Sequence, residues 1–233
     1  MPPSIVELGL HSEPNLELLV QMRPHLIVVD TNQASLLPQL ERIAPTFTVD
    51  IYDPSRGRLY SRAIAETLRL ASRIDREREA RAYLAGVEQT LERCTRSIHA
   101  LGQVPPVLIT DLYDDGRHLY VYGSNSMMQD VLDRLGVPNA WTRPTPSGFT
   151  LPGIENLAAF TTAQMFFIDR GPLNRVVLHN LGDSRLWNHL PVVANRRVAA
   201  LPGFFTYGAT ACAAQFAIEL SRALASATKL PHG

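Results

Sequence analysis

The chain has 233 residues, 45% of them hydrophobic, and 22 Lys plus Arg balance 22 Asp plus Glu. A chain of this size buries roughly 70–75% of its unfolded surface, so a disordered tail, a collagen-like repeat and a small disulfide scaffold are excluded. The charge balance and the lack of a Lys/Arg-rich run exclude a general nucleic-acid binder, which needs a basic excess to displace counterions. Lys229 is the only lysine, so a Walker-type GK[ST] loop is excluded too.

At about 150 residues per domain the length fits one large domain or two small lobes. Cys94 and Cys212 lie far apart and form no CxxC pair; they read as two buried small apolar residues, with a disulfide left open. No apolar run reaches the ~20 residues of a membrane span. Met1-Pro2-Pro3-Ser4 has neither the basic start nor the apolar core of a signal peptide, so the sequence taken literally would be cytoplasmic.

Ile5 to Leu8 is a strand-like run, and Leu16, Leu18, Leu19 and Met22 carry helical spacing entered through Ser12-Glu13-Pro14. Pro24 stops that helix. Leu26-Ile27-Val28-Val29 then reads as a strand buried on both faces, closed by Asp30. The recurring order of helix, proline stop, apolar strand and polar loop signals α/β architecture with parallel strands. Leu36 to Ile43 is a short helix and Phe47 to Ile51 a strand. The pattern is then helical from Ser61 to Leu101, broken near Asp75-Arg76-Glu77. The second helix, from Asp75 to Leu101 and capped by Gly102, spans about 40 Å. Such a length suits a strut joining two lobes.

The alternation restarts with strands at Val107 to Leu112 and Leu119 to Tyr122 around an Asp114-Asp115-Gly116 turn. A helix over Asn125 to Leu135 follows, then a short helix over Ile154 to Phe160 and a strand over Met165 to Ile168. Val176 to Leu178 is a short element, Val198 to Leu201 the last strand, and Thr210 to Ala225 the C-terminal helix.

The sequence holds no HExxH, no GxSxG and no GxGxxG pattern. His118 and His189 read as solvated loop histidines, and Asp111, Asp114 and Asp115 as an acidic stretch around a hairpin turn. More informative are the aromatics at loop and strand ends: Tyr120, Tyr122, Trp141, Phe149, Phe204, Phe205 and Tyr207. Clefts for bulky organic ligands are lined in this way. Burial in a lobe core is the alternative for each, and at least one of Tyr120 and Tyr122 is expected to point inward.

Gly9-Leu10-His11-Ser12-Glu13-Pro14-Asn15-Leu16-Glu17-Leu18-Leu19, followed by Met22-Arg23-Pro24, resembles the first-lobe signature of ferric-siderophore periplasmic binding proteins. The hydroxamate branch reads GLRTEPNLELL and MKP there. Collinear matches continue with Arg42-Ile43-Ala44-Pro45, Tyr122-Gly123-Ser124-Asn125-Ser126, Gly136-Val137-Pro138-Asn139-Ala140-Trp141, Leu157-Ala158-Ala159-Phe160, Leu186-Trp187 and Tyr207-Gly208-Ala209-Thr210. The resemblance implies two α/β lobes joined by a long α-helix, with the ligand in a shallow cleft. Residues 1–74 would form the N-terminal lobe, 75–101 the linking helix and 102–233 the C-terminal lobe. Family members carry a signal peptide and about one further βαβ unit before the segment matching Ser4-Ile5-Val6. The first lobe is therefore expected to be truncated at its N-terminal end, and the parent protein to be periplasmic.

The family's hydroxamate-clamping Arg falls on His11, its first-lobe Tyr near Asn32 or Gln33, and a further aromatic near Ser147, with Phe149 close by. Tyr120 and Trp141 match cleft positions, Phe205 stands where a Trp is expected, and Tyr207 keeps its aromatic. The apolar wall is kept and the charged clamp is not. His11 offers at most two donors, against the fork of an Arg; it reads as a hydrogen-bonding cleft residue, with direct iron ligation the sharper alternative. In this family acidic residues on each lobe meet permease arginines. Glu155 falls on the second-lobe position; the first-lobe position falls near Pro38, leaving Glu17 or Glu41 to substitute, and plain surface solvation is the alternative.

The implied function is carriage of a ferric siderophore, hydroxamate type, to an ABC importer. No catalysis or resident cofactor is expected, iron travels only inside the ligand, and the protein is expected to be a monomer that binds no nucleic acid. The alternatives are a binding protein for another chelate such as cobalamin or haem, a small α/β enzyme using Ser147 with His11, and a relative that keeps the fold without binding.

Overall fold

A short hairpin opens the structure, a computed structural model that describes residues 5–227. Gly9–Leu10 (β1) pairs antiparallel with Glu13–Pro14 (β2), and the Asn15 N–H donates to the Leu8 carbonyl at 2.7 Å. The expected strand over Ile5–Leu8 is therefore displaced: the ladder forms directly after it, at Gly9–Leu10, and Ile5 and Val6 are exposed. An apolar run without a hydrogen-bonded neighbour does not make a strand.

The Asn15 side chain caps Leu16–Met22 (α1) by accepting from the Leu18 N–H, and Arg23 ends it in a left-handed turn before Pro24. Ile27–Asp30 (β3) pairs in parallel with Thr46–Val49 (β4), with the short helix Leu37–Leu40 (α2) between them. Leu19, Ile27, Val29, Leu40 and Ala44 form one core cluster. Val28 is 49% exposed, so β3 is buried on one face and not on both. Its side chains alternate because helices supply only one apolar layer to this two-stranded sheet. By contact density this small unit is Met1–Ile51, and Tyr52–Gly233 forms the larger one.

The larger unit begins with Leu59–Arg73 (α3) and Glu77–His99 (α4). Asp75 lies between them in the left-handed region (φ 56°), which breaks what would otherwise be one helix. At 23 residues α4 is about 35 Å long. It buries Leu84, Val87, Leu91, Cys94 and Ile98 and packs on α3 and on two later helices, Met127–Leu135 (α5) and the C-terminal helix. Gly136, at φ 69°, closes α5 in a conformation that glycine adopts without a Cβ clash.

The sheet of this unit is mixed. Val107–Leu112 (β5) lies between antiparallel Leu119–Tyr122 (β6) and parallel Gln164–Ile168 (β8). Phe149–Thr150 (β7) adds to β6, and Val198–Leu201 (β9) adds in parallel to β8. The expected helix at 154–160 is 3-10 in form, over Ile154–Ala159. The short element expected at Val176–Leu178 is a full helix, Pro172–Gly182 (α6), with proline in its first turn. Arg185–His189 (α7) and Pro191–Ala194 (α8) follow, and Ala209–Ala227 (α9) closes the described chain. Leu108, Leu119, Val121, Trp141, Met165, Phe167 and Trp187 belong to one core cluster. Cys94 and Cys212 are both buried and unbridged. Among the described residues no helix is long and apolar enough to cross a membrane.

Candidate functional site

In the small unit, β3 ends at Asp30, whose carboxylate accepts from the Asn32 N–H at 2.7 Å and starts a 3-10 turn over Thr31–Leu36. His11 Nε2 lies 3.1 Å from the second Asp30 oxygen, and Gln33 Nε2 donates to the His11 carbonyl at 2.8 Å. The hairpin tip and the end of β3 thus bring His11, Asn32 and Gln33 together. His11 and Asn32 are exposed and Gln33 is half-buried. One imidazole nitrogen is already engaged by Asp30, which leaves His11 less to offer than an unengaged side chain would have.

In the larger unit the aromatics gather on the edge of the sheet. Asp111 on β5 is registered directly opposite Tyr120 on β6, and Tyr122 opposite Phe149 on β7. The Tyr120 ring lies 5.5 Å from Tyr113 and 5.2 Å from Phe149, between centroids. Leu119 and Val121 take the core, while Tyr120 and Tyr122 both stand on the half-buried face. Positions i and i+2 share a face, so the two tyrosines lie on one side of β6, the side on which Asp111 is buried.

The segment before α9 supplies the rest. Phe205 is 74% exposed and Tyr207 51% exposed, their rings 6.2 Å apart. Tyr207 also packs edge-on to Tyr52 at 5.1 Å, and the Tyr52 hydroxyl accepts from the Ala209 N–H at 2.8 Å. Ala209 holds a left-handed φ of 51°, so this turn carries backbone strain that the surrounding contacts sustain. Burial pushes the Tyr122 and Tyr207 phenols up; the Asp111 charge adds to the effect and the Arg170 cation opposes it.

Arg170, just past the end of β8, faces the same aromatics. Its guanidinium carbon lies 5.9 Å from the Tyr120 ring centroid. Its Nη2 donates to Asp111 at 2.5 Å, and Asp111 is only 1% exposed. Burial raises the Asp111 carboxyl, against the hydrogen bond and charge of Arg170. Burial works against the Arg170 cation as well, but Asp111 outweighs it and raises that group. Sequence reading missed Arg170, Asp111, Tyr113 and Tyr52. The usable signal was position: Asp111 and Arg170 lie at or just beyond the carboxyl ends of parallel strands β5 and β8, where open α/β sheets bind their ligands.

The remaining sequence candidates are dispersed. Trp141 is 8% exposed and belongs to the core, stacked near Phe160, with Arg143 over its ring at 5.3 Å. Ser147 lies exposed in the turn before β7, and Phe149 is half-buried. Glu17, in the first turn of α1, Glu41, just after α2, and Glu155, in the 3-10 turn, are exposed. A polar cavity of about 620 Å³ is lined by Arg58, Gln129, Asp130, Asp133 and Asn139, and another of about 430 Å³ by Asp115, Arg117, Glu155 and Leu186. Neither is lined by an aromatic of the sheet edge, where exposed Phe205 and Tyr207 and half-buried Tyr113, Tyr120 and Phe149 form an open shelf. Among the described residues no three His, Cys, Asp or Glu side chains converge as a metal site.

The sequence matches the family described as periplasmic binding protein over residues 1–203. It is 31% identical over 225 residues to the iron(3+)-hydroxamate-binding protein FhuD of Escherichia coli (strain K12), an alignment spanning 96% of this chain and 74% of that protein. It is 33% identical over 78 residues to the Fe(3+)-citrate-binding protein YfmC of Bacillus subtilis (strain 168), covering 33% of this chain and 24% of that one. Among solved structures, the siderophore-binding protein FhuD of Vibrio cholerae, bound to Fe3+–Desferal, has the same fold, with a TM-score of 0.85 at 23% identity over 96% of this chain and 83% of that one. The triscatecholate siderophore-binding protein FeuA of Bacillus subtilis aligns with a TM-score of 0.72 at 18% identity, over 92% of this chain and 75% of that one. The extent of the family match, together with the FhuD alignment, establishes that the chain belongs to the periplasmic binding protein family.

Proposed function

We propose that this chain binds a ferric siderophore of the hydroxamate type and presents it to an ABC permease in the periplasm. The observation that carries the reading is the open shelf on the larger unit: Tyr113, Tyr120, Phe149, Phe205 and Tyr207 around one half-exposed guanidinium. Phe205 and Tyr207 are exposed and the other three half-buried, and aromatics so placed give a rigid contact area at low entropic cost. A shallow shelf suits a bulky, preformed chelate better than a small metabolite, which needs an enclosing pocket. The 31% identity to the hydroxamate-binding FhuD supports the same ligand class.

His11, Asn32 and Gln33 form a second contact set, on the small unit. Ser147, exposed in the turn before β7, stands as a further candidate contact, and Trp141 supports the sheet from the core without meeting the ligand. Glu17, Glu41 and Glu155 are the proposed permease-facing acids, each exposed enough to meet an arginine. Iron is cargo inside the ligand, and the protein supplies no catalysis.

The test is a fluorescence titration with ferric Desferal, iron-free Desferal and ferric citrate. Saturable quenching by ferric Desferal, much weaker with the iron-free form, is the expected result. A folded protein that responds to no ferric chelate would overturn the reading; a preference for ferric citrate would keep the transport role and change the ligand class.

A further inference from the structure

The structure assigns to Arg170 the role of the cationic donor that grips the anionic oxygen edge of the ligand, with the buried Asp111 as the residue that positions it. The inference rests on the ferric-chelate reading above and names, within the larger unit, the charged group of that site.

The argument starts from cost. A carboxylate at 1% exposure loses its hydration, a penalty of several kcal/mol that an apolar residue of similar size would not incur. Asp111 has one strong partner, Arg170, and its other oxygen is buried without a hydrogen bond. Fold stability alone does not explain such a residue. What the pair does achieve is orientation. Arg170 is 48% exposed, a long side chain that would otherwise sample many rotamers. Its Nη2 is fastened to Asp111, and its backbone N–H donates to Asn174 Oδ1 at 2.5 Å. Asn174 is itself buried in the first turn of α6.

What remains free is chemically specific. Nη1 and Nε of Arg170 have no protein partner among the described residues, and the guanidinium lies over the Tyr120 ring. An always-charged guanidinium with N–H donors to spare recognises paired anionic oxygens. Each iron-bound hydroxamate presents such a pair. In the iron-free hydroxamic acid the oxygen is protonated near neutral pH, so the anionic edge is lost. Arg170 should therefore discriminate between loaded and empty siderophore, while the aromatics contribute to both.

The experiment compares wild type with Arg170→Gln, Arg170→Lys and Asp111→Asn, titrated with ferric and iron-free Desferal. Arg175→Gln, an exposed arginine on α6, controls for the change in net charge. Arg170→Gln should lose about tenfold or more in affinity for the ferric form and little for the iron-free form. Arg170→Lys should fall between, since a point charge lacks the fork. Asp111→Asn should reduce the ferric preference in the same direction, with a smaller loss. Near-UV circular dichroism of each variant must match wild type, and the double variant Asp111→Asn/Arg170→Gln, which leaves no unpaired buried carboxylate, carries the test if a single variant misfolds. Wild-type binding left unchanged in Arg170→Gln would overturn this inference and leave the proposed function standing. A wild type that binds no ferric chelate would overturn the function itself. Equal losses for ferric and iron-free forms would show a packing role and reject the clamp.

Discussion

Asp111 and Tyr120 face one another across the β5–β6 ladder, and Arg170 reaches both: it hydrogen-bonds the carboxylate and covers the ring. The three residues come from separate elements, and their meeting depends on β5 lying between β6 and β8. The sheet order therefore places a buried acid beneath an exposed base, at the edge where aromatics accumulate.

This pairing has a pH signature. Burial holds the Asp111 carboxyl above its ordinary range, so the native state binds its proton more tightly than the unfolded chain. The contribution is complete below the unfolded value near 4 and is lost as pH rises through the native value. Asp111→Asn removes that dependence. Urea midpoints measured from about pH 4 to about pH 7 should show wild type losing ground to the variant as pH rises. A difference that stays flat across that window would refute the account.

Phe205 separates binding from stability. At 74% exposure it contributes little to the core, so Phe205→Ala should shift unfolding by no more than about 0.5 kcal/mol. Its ring is nevertheless part of the shelf, and its loss should weaken ferric-chelate binding about tenfold. Paired calorimetric titration and urea unfolding check both halves. A variant that unfolds early but binds normally would remove Phe205 from the shelf.

Much of this arrangement was legible in the sequence because periodicity and caps report local structure. The helices around Leu16, Leu68, Leu84 and Met128, and the strands at Val107, Leu119 and Met165, followed from spacing and from proline and glycine stops. Tyr120, Phe149, Phe205 and Tyr207 stand out in the sequence as aromatics at loop and strand ends; the structure leaves Phe205 and Tyr207 exposed and the other two half-buried. Other features depended on tertiary pairing. Ile5–Leu8 has strand composition but no neighbour, and Leu26–Val29 reads as doubly buried until the sheet proves to have two strands. Asp111 was read with Asp114 and Asp115 as one acidic stretch; strand alternation and register separate a buried acid from two turn residues. Arg170, 59 residues from Asp111, carries no local signal of that partnership. Trp141 looked like a cleft residue by resemblance, and only packing reveals its place in the core.

Gly123, within the Tyr122–Ser126 motif, has a steric reason to be glycine. A Cβ there would lie 2.6 Å from Thr145 Cγ2 and 2.9 Å from the Arg143 carbonyl oxygen. The same carbonyl accepts from the Ser124 N–H at 3.2 Å, so it is held in place and cannot withdraw cheaply. Gly123→Ala should destabilise by about 1–3 kcal/mol through overpacking, read as a lowered urea midpoint with an unchanged slope. It should also loosen the Asn125–Thr145 hydrogen bonds that fasten the loop before β7, and so the seat of Phe149. A fully stable Gly123→Ala protein would show that this segment yields more readily than its contacts indicate.

The hairpin that carries Tyr113 and Tyr120 turns at Asp115, whose carboxylate lies 2.5 Å from His118 Nδ1. That hydrogen bond, helped by the Arg117 and His118 backbone N–H groups, pulls the Asp115 carboxyl down to about 2. A depressed native value gives stability that is present above the unfolded value near 4 and lost as pH falls towards 2. Both side chains are more than a third exposed or close to it, so solvent screening keeps the net effect to about 1 kcal/mol or less. His118→Ala should return the Asp115 carboxyl towards the ordinary carboxylate range, read directly as a shifted carboxyl titration by NMR. The stability advantage of wild type over the variant should be present above about pH 4 and shrink in stronger acid. An Asp115 titration unmoved by the substitution would place the cause in the backbone N–H groups, which the variant retains. In either case the turn sets the register that pairs Asp111 with Tyr120. A loosened turn should therefore also reduce ferric-chelate affinity, and by less than Arg170→Gln does, because it disturbs the shelf without removing a contact.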